Sequence, residues 1–220
     1  MKISVCPVID KLLEGGLEAG TITNFYGPPA TGKTNIALVA TASVSKHGEV
    51  VFVDTEGGFS EERVKQIGVN TANVKLIEPK TWEEQKDFFK NIEKICRNAR
   101  LVVVDSIVSL WRIAVNEKNA NDVNKELSTQ LSLLSKIARK FNIPVIITNQ
   151  VYSDMEGNIE LSSKNIVKWW SKNLIEIMHA GRSGCRIARI VRARSLPEDK
   201  KIEFEIVGDG LKEVSKLRIF

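Results

Sequence analysis

The 220-residue chain is poor in cysteine, and its three, Cys6, Cys96 and Cys185, show no Cys-x-x-Cys spacing. An odd, scattered set argues against a disulfide framework or a zinc site and points to a reducing compartment. The sequence also lacks an apolar run long enough to span a bilayer, and its start, MKISVCPVIDKLLEGG, lacks the apolar core of a signal peptide. A cytoplasmic protein with no membrane partner is expected. No Pro/Ser-rich linker, low-complexity tract or internal repeat interrupts it, so residues 1–220 are expected to form one domain around one substantial core. Negative charge is in deficit. The net charge of +5 and a pI near 9.1 suit a polyanionic partner without identifying one.

What is present is an alternation of strand-like and helix-like segments. Strands are predicted at 21–26, 50–54, 74–77, 101–105 and 143–148, several of them continuous apolar runs of the kind covered on both faces. Helices are predicted at about 33–46, 60–67, 82–98 and 122–141, the last with Leu127, Leu131, Leu134, Ile137, Ala138 and Phe141 at helical spacing. Cys96, in a helix-like pattern, reads as a small core residue. From about 174 the style changes to shorter strands, 174–179, 186–194 and 201–207, with a final one at 211–219. The fold class expected is therefore α/β: a mostly parallel central sheet flanked by helices, extended by C-terminal antiparallel hairpin strands.

Four segments at or just past strand C-termini carry chemistry, where open α/β sheets bind ligands. Gly27, Pro28, Pro29, Ala30, Thr31, Gly32, Lys33 and Thr34 spell GPPATGKT between a strand and a helix, the order of a Walker A phosphate cradle. Loop N–H groups and the helix N-terminus would converge on phosphate, Lys33 would add a point charge, and the Thr34 hydroxyl could ligate Mg²⁺. ATP and Mg²⁺ are the expected cofactors. In Asp54-Thr55-Glu56, Glu56 could polarise a water attacking the terminal phosphate, or face solvent as a helix N-terminal acid. Leu101–Ser106 has a Walker B pattern that would put Asp105 in the Mg²⁺ shell. After Ile146-Ile147-Thr148-Asn149, the amide of Gln150 could report the terminal phosphate to the next loop.

In this order the segments resemble RecA-type recombinases of the archaeal RadA/eukaryotic branch. The carrying strings are LLEGGLEAGTITNFYGPPATGKTN, VDTEGGFSEERV, LVVVDS, IPVIITNQV and GRSGCRIARIVRARSLPEDKKIEF, which together thread nearly the whole chain. A RecA-like P-loop ATPase core is the fold implied. Glu56 matches the family's water-activating glutamate, Arg63 the arginine that stacks on adenine, and Gln150 the amide sensor; Asn35 completes the loop string. Pro197 falls where the family's ATP-cap proline reaches a neighbouring subunit. Ser60 stands where the recombinases have a first arginine, and Ala30-Thr31 departs from their Gly-Ser-like loop centre.

The chain shows no counterpart of the recombinases' N-terminal helical DNA-binding domain or of their polymerisation motif. In that it resembles the RadB family, the archaeal paralogues. That resemblance implies ATP and DNA binding, weak hydrolysis, no strand exchange, and an accessory role in homologous recombination and repair on the nucleoid. Single-stranded and branched DNA, a RadA-type recombinase and a junction-resolving nuclease are the implied partners. No in-chain arginine finger is identifiable, so slow turnover is expected. A clock- or signalling-type RecA-fold regulatory ATPase is the alternative.

For DNA, Lys164, Lys168 and Lys172 recur at helical spacing around Trp169-Trp170. Bases could stack on an aromatic while lysines neutralise phosphates, or the segment could be an amphipathic helix burying one tryptophan. Arg182, Arg186, Arg189, Arg192 and Arg194 are a second basic feature; on a strand Arg186, Arg192 and Arg194 would share one face with Ala188 and Ile190, as a phosphate-binding stripe or as charges that guard a sheet edge. Trp111 and Arg112 follow the Walker B segment, with Trp111 expected in the core.

Overall fold

The computed structural model describes residues 1–153, 159–161 and 165–214. In chain order the elements are β1 (Lys2–Ile3), α1 (Pro7–Leu13), β2 (Leu17–Glu18), β3 (Ile22–Gly27), α2 (Lys33–Ser45), β4 (Glu49–Asp54), α3 (Glu61–Gln66), β5 (Val74–Ile77), α4 (Trp82–Ile95) and β6 (Ala99–Asp105). There follow α5 (Ser109–Ala114), α6 (Ala120–Phe141), β7 (Val145–Ser153), β8 (Ile159–Leu161), α7 (Ile166–Trp170), β9 (Asn173–His179), β10 (Cys185–Arg192), β11 (Lys201–Val207) and β12 (Gly210–Glu213).

The main sheet runs β12-β11-β10-β9-β3-β7-β6-β4-β5, with β8 paired to β7. From β5 to β9 every neighbouring pair is parallel, and β9 to β12 are joined antiparallel. Alternate residues of the apolar strands serve two cores. Val51, Val53, Val102, Val104 and Ile147 pack under α4, α5, α6 and α7, whereas Val50, Phe52, Leu101, Val103 and Ile146 pack with α1 and α2. Both faces are covered, which is why these strands read as unbroken apolar runs. Fully burying each such side chain is worth about 1.5–3 kcal/mol.

The helices are closed by local chemistry. The Thr81 hydroxyl accepts from the Glu84 N–H at 3.2 Å, and the Ser60 hydroxyl from the Arg63 N–H at 3.3 Å, capping α4 and α3. Asn142 ends α6 in the left-handed conformation, φ 51°. Among the described residues no helix is long and apolar enough to cross a membrane.

Several expectations are corrected. The 143–148 strand begins at Val145, since Pro144 has no N–H to give a ladder. It continues to Ser153 and pairs with β8, Val151 opposite Leu161, so part of the loop expected after Gln150 is a ribbon. Helices α1 and α5 and the short β1–β2 pair were not predicted, being too short to show periodicity. β9, expected among the antiparallel hairpin strands, does pair antiparallel with β10, and in addition pairs parallel with β3, so it joins the two parts of the sheet. Of the expected strand 211–219 the structure describes Gly210–Glu213; residues 215–220 lie outside the described residues, as does Lys164.

Candidate functional site

The parallel register assembles the site. Gly27 lies opposite Gln150 across β3–β7, and Asp54 opposite Asp105 across β4–β6, so four strand ends open on one edge. The loop between β3 and α2 closes tightly: a Cβ at Gly27 would lie 2.0 Å from the Ile177 carbonyl oxygen of β9, which leaves glycine as the residue that fits. Gly32 starts α2 at φ 97° and Ala30 sits at φ 61°, left-handed positions that suit glycine and tax alanine. The Thr31 hydroxyl donates to the Pro28 carbonyl at 2.9 Å. Lys33 Nζ donates to the carbonyls of Gly27 at 3.0 Å and Pro28 at 2.8 Å. Burial pulls the Lys33 ammonium pKa down, against Glu56 and Asp105, whose charges raise it.

Pro29, Ala30, Gly32 and Lys33 border a cavity of about 270 Å³, together with Thr34, Asn35, Glu56, Asp105, Thr148, Gln150, Arg186 and Ile206. Asp105 is buried, and the Thr148 hydroxyl donates to its Oδ1. Its Oδ2 is buried without a hydrogen-bond partner. Burial raises the Asp105 carboxyl to about 6; the Thr148 and nearby Thr34 hydroxyls pull it down, while Glu56 and Asp54 push it up. Gly58 backs onto the same spot, where a Cβ would come 2.7 Å from Thr34 Cγ2 and 3.4 Å from Asp105 Oδ2. An orphaned carboxylate oxygen beside a threonine hydroxyl fits a hard divalent cation with oxygen ligands.

Glu56 is held from two sides. The Ser106 hydroxyl donates to Oε1 at 2.7 Å, and the Gln150 amide donates to Oε2 at 3.0 Å. Ser106 is itself tied to the β4 loop, its N–H donating to the Thr55 hydroxyl at 3.0 Å; the Asp105–Ser106 peptide is cis. The loop carrying Glu56 is shaped by Asp54. Its Oδ1 accepts from the N–H groups of Glu56, Gly57 and Gly58 at 2.8–3.1 Å, and its Oδ2 from Phe59 at 2.8 Å. Arg63, on α3, donates through Nε to Asn35 Oδ1 at 2.8 Å and through Nη1 to the Gly208 carbonyl at 2.9 Å, beside the first turn of α2.

Asp54, Ser106, Thr148, Gly58 and Ile206 were not singled out from sequence. Asp54 was legible as the acid ending a strand, whereas the others act through contacts that only the sheet register creates.

The basic residues expected to face DNA do not form one array. β10 is interior, flanked by β9 and β11, so its arginines guard no edge. Arg186 shares its side of the strand with buried Ala188 and Ile190, and a register shift follows before Arg192. Arg186 turns toward the cavity, Arg182 pairs with Glu203 at 3.0 Å, and Arg194 lies 3.6 Å from Glu18. Arg192 donates to the carbonyls of Lys168 and Ser171, tying α7 to β10. The stripe is therefore broken by burial and by local partners. On α7, Trp169 is 80% exposed, Trp170 packs partly against the core, and Lys168 is exposed; Lys172, also exposed, lies beyond the end of the helix, so the expected helical spacing of the lysines does not reach it. Trp111 is buried, its Nε1 donating to Asn124 Oδ1 at 3.1 Å.

Sheet order and strand-end loop define a RecA-like P-loop protein, and the Rad51 family model matches residues 2–214. The chain is 39% identical over 226 residues to the DNA repair and recombination protein RadB of Methanobrevibacter smithii, covering 96% of this chain and 95% of the relative. The RadB of Methanosphaera stadtmanae is 38% identical, with 92% of each chain covered. A solved structure described as the crystal structure of the RadB recombinase superposes with a TM-score of 0.81 at 33% identity, covering 95% of this chain and 97% of that one. The chain belongs to the Rad51 family and, within it, to the RadB family of DNA repair and recombination proteins.

Proposed function

We propose that this chain is an ATP-gated, DNA-binding accessory protein of homologous recombination, one domain acting in the cytoplasm on the nucleoid. It hydrolyses ATP slowly and performs no strand exchange itself. The observation that carries the reading is the placement of Glu56, held by Ser106 and Gln150 at the rim of the Walker A cavity. There a carboxylate can orient a water toward a terminal phosphate and accept its proton. Lys33 neutralises phosphate charge from within the loop, and Arg63 lies beside Asn35 where a base would extend from the phosphates. Rad51-family recombinases generally use ATP with Mg²⁺; Thr34 and Asp105 would hold the ion. When bound it would neutralise charge across the phosphate oxygens.

Family membership favours recombination over the regulatory-ATPase alternative. DNA would lie along the face carrying Trp169, Lys168 and Lys172, and a RadA-type recombinase or a junction-resolving nuclease is the protein partner we propose. The test is nucleotide binding and turnover, with and without DNA, for the wild type, Lys33→Ala and Glu56→Gln. Lys33→Ala should lose binding. Glu56→Gln should bind ATP normally and lose the residual turnover. Fast DNA-stimulated hydrolysis with strand exchange by the wild type would refute the accessory role.

A further inference from the structure

Arg186 is a cation in an unexpected place. β10 sets it opposite Phe204 of β11 and His179 of β9, and its guanidinium reaches the cavity that Lys33 also lines. Nη1 donates to the Gly184 carbonyl at 2.5 Å, and Nη2 makes a long contact, 3.5 Å, with the carbonyl of Ala30 in the phosphate loop. Nε is buried and has no acceptor. Among the described residues no carboxylate lies within ion-pair distance of it, whereas Arg182, Arg189 and Arg194 each meet one.

Lys33 is held in the same way, on backbone carbonyls alone. Two cations from different elements thus converge on one cavity, and although Glu56 and Asp105 also line it, no carboxylate among the described residues pairs with Arg186. A partly buried charge without a counter-ion is costly unless an anion arrives to pair with it. The planar fork of a guanidinium matches the oxygens of a phosphate.

We propose that Arg186 binds the phosphate chain of the nucleotide, as an in-chain ligand supplied by the C-terminal antiparallel strands. This rests on the nucleotide-binding reading above and extends it. The hairpin that brings Arg186 also brings Ile206, whose Cδ1 lies 2.6 Å from where a Cβ on Gly32 would be, so these strands close over the loop. The competing role is a hook that holds the Gly184 turn against Ala30 and touches no ligand.

The experiment measures the affinity of the wild type, Lys33→Ala, Arg186→Ala and Arg186→Lys for a fluorescent ATP analogue at fixed Mg²⁺, alongside the melting temperature without ligand. A charge-assisted hydrogen bond lost to the phosphates should weaken binding about tenfold or more in Arg186→Ala. Arg186→Lys should recover part of it, keeping the charge without the fork. Arg186→Ala affinity within twofold of wild type, with or without a lowered melting temperature, overturns the proposal and leaves the nucleotide reading standing. A wild type that binds no nucleotide overturns both. If Arg186→Ala does not fold, Arg186→Met, which keeps the stem, is judged by the same criterion. Loss of single-stranded DNA affinity in the absence of nucleotide, with ATP affinity unchanged, would return Arg186 to a DNA role and likewise overturn it.

Discussion

Replacing Asp105 with asparagine isolates the electrostatic cost of keeping a carboxylate 2% exposed beside the GPPATGKT loop. Burial raises this carboxyl from 3.8 to about 6 in the folded chain. Between those values the folded state binds more proton than the unfolded state, so stability falls as pH rises. The contribution is fully present below pH 4 and gone once pH has passed through about 6. A shift of about two units corresponds to roughly 3 kcal/mol in total, of which roughly 2 kcal/mol falls between pH 4.5 and 7.5.

Asparagine does not titrate. Its own effect, including an amide N–H in place of the unpartnered Oδ2, is a constant offset that cancels from the pH dependence. Urea unfolding of wild type and Asp105→Asn, without nucleotide or Mg²⁺, should give a stability difference that drifts against the wild type by about 2 kcal/mol over that range. A difference independent of pH would refute the assignment of the strain to Asp105. Saturating Mg²⁺ and ATP should shrink the drift, because a bound cation favours the ionised carboxylate.

Three further outcomes are expected. Trp169→Ala should change stability by less than about 0.5 kcal/mol, since the ring is exposed, and Trp170→Ala should cost about 2 kcal/mol or more; unchanged single-stranded DNA affinity in Trp169→Ala would remove the stacking role. Ala30→Gly should raise the free energy of unfolding by up to about 1 kcal/mol by relieving the left-handed φ, less the added freedom of the unfolded chain, and a lowered free energy of unfolding would contradict the backbone assignment. Asp54→Ala removes the acceptor of four N–H groups and should cost about 1–3 kcal/mol. Hydrogen exchange should then accelerate at residues 56–59, and unchanged protection there would show that another group holds the loop.

The parts legible in sequence were those whose signal is local. GPPATGKT is contiguous, and the strand before it and helix after it are set by adjacent residues. Doubly covered strands announce themselves as apolar runs, which placed Asp54, Asp105 and Gln150 at strand ends. What stayed hidden depends on pairing across the sheet. Thr148 reaches Asp105 because Val104 lies opposite Ile147, and no spacing along the chain encodes that. Ser106 meets Glu56 across fifty residues for the same reason. The arginines of β10 show how parity misleads. The alternation holds to Ile190, but that face carries buried Ala188 and Ile190, and the register shift ahead of Arg192 ends the parity. Helix α5 and the β1–β2 pair are shorter than the windows over which such elements show their periodicity.

The hydrogen bond from Gln150 to Glu56 joins the cavity lined by Lys33 to a strand that runs on into the β7–β8 ribbon. Suppose, on the proposed function, a bound triphosphate draws Glu56 off that amide, and through the ribbon the affinity for the proposed DNA partner, here the ribbon's ligand, changes by some factor. Reciprocity then requires the ribbon's ligand to change triphosphate affinity by the same factor. A single amide can therefore serve as a balance between two binding equilibria without any hydrolysis. The energy it can transmit is capped by one hydrogen bond to a charged group, about 1.5–3 kcal/mol. Through this joint alone, either ligand can shift the other's affinity by about one to two orders of magnitude and no more.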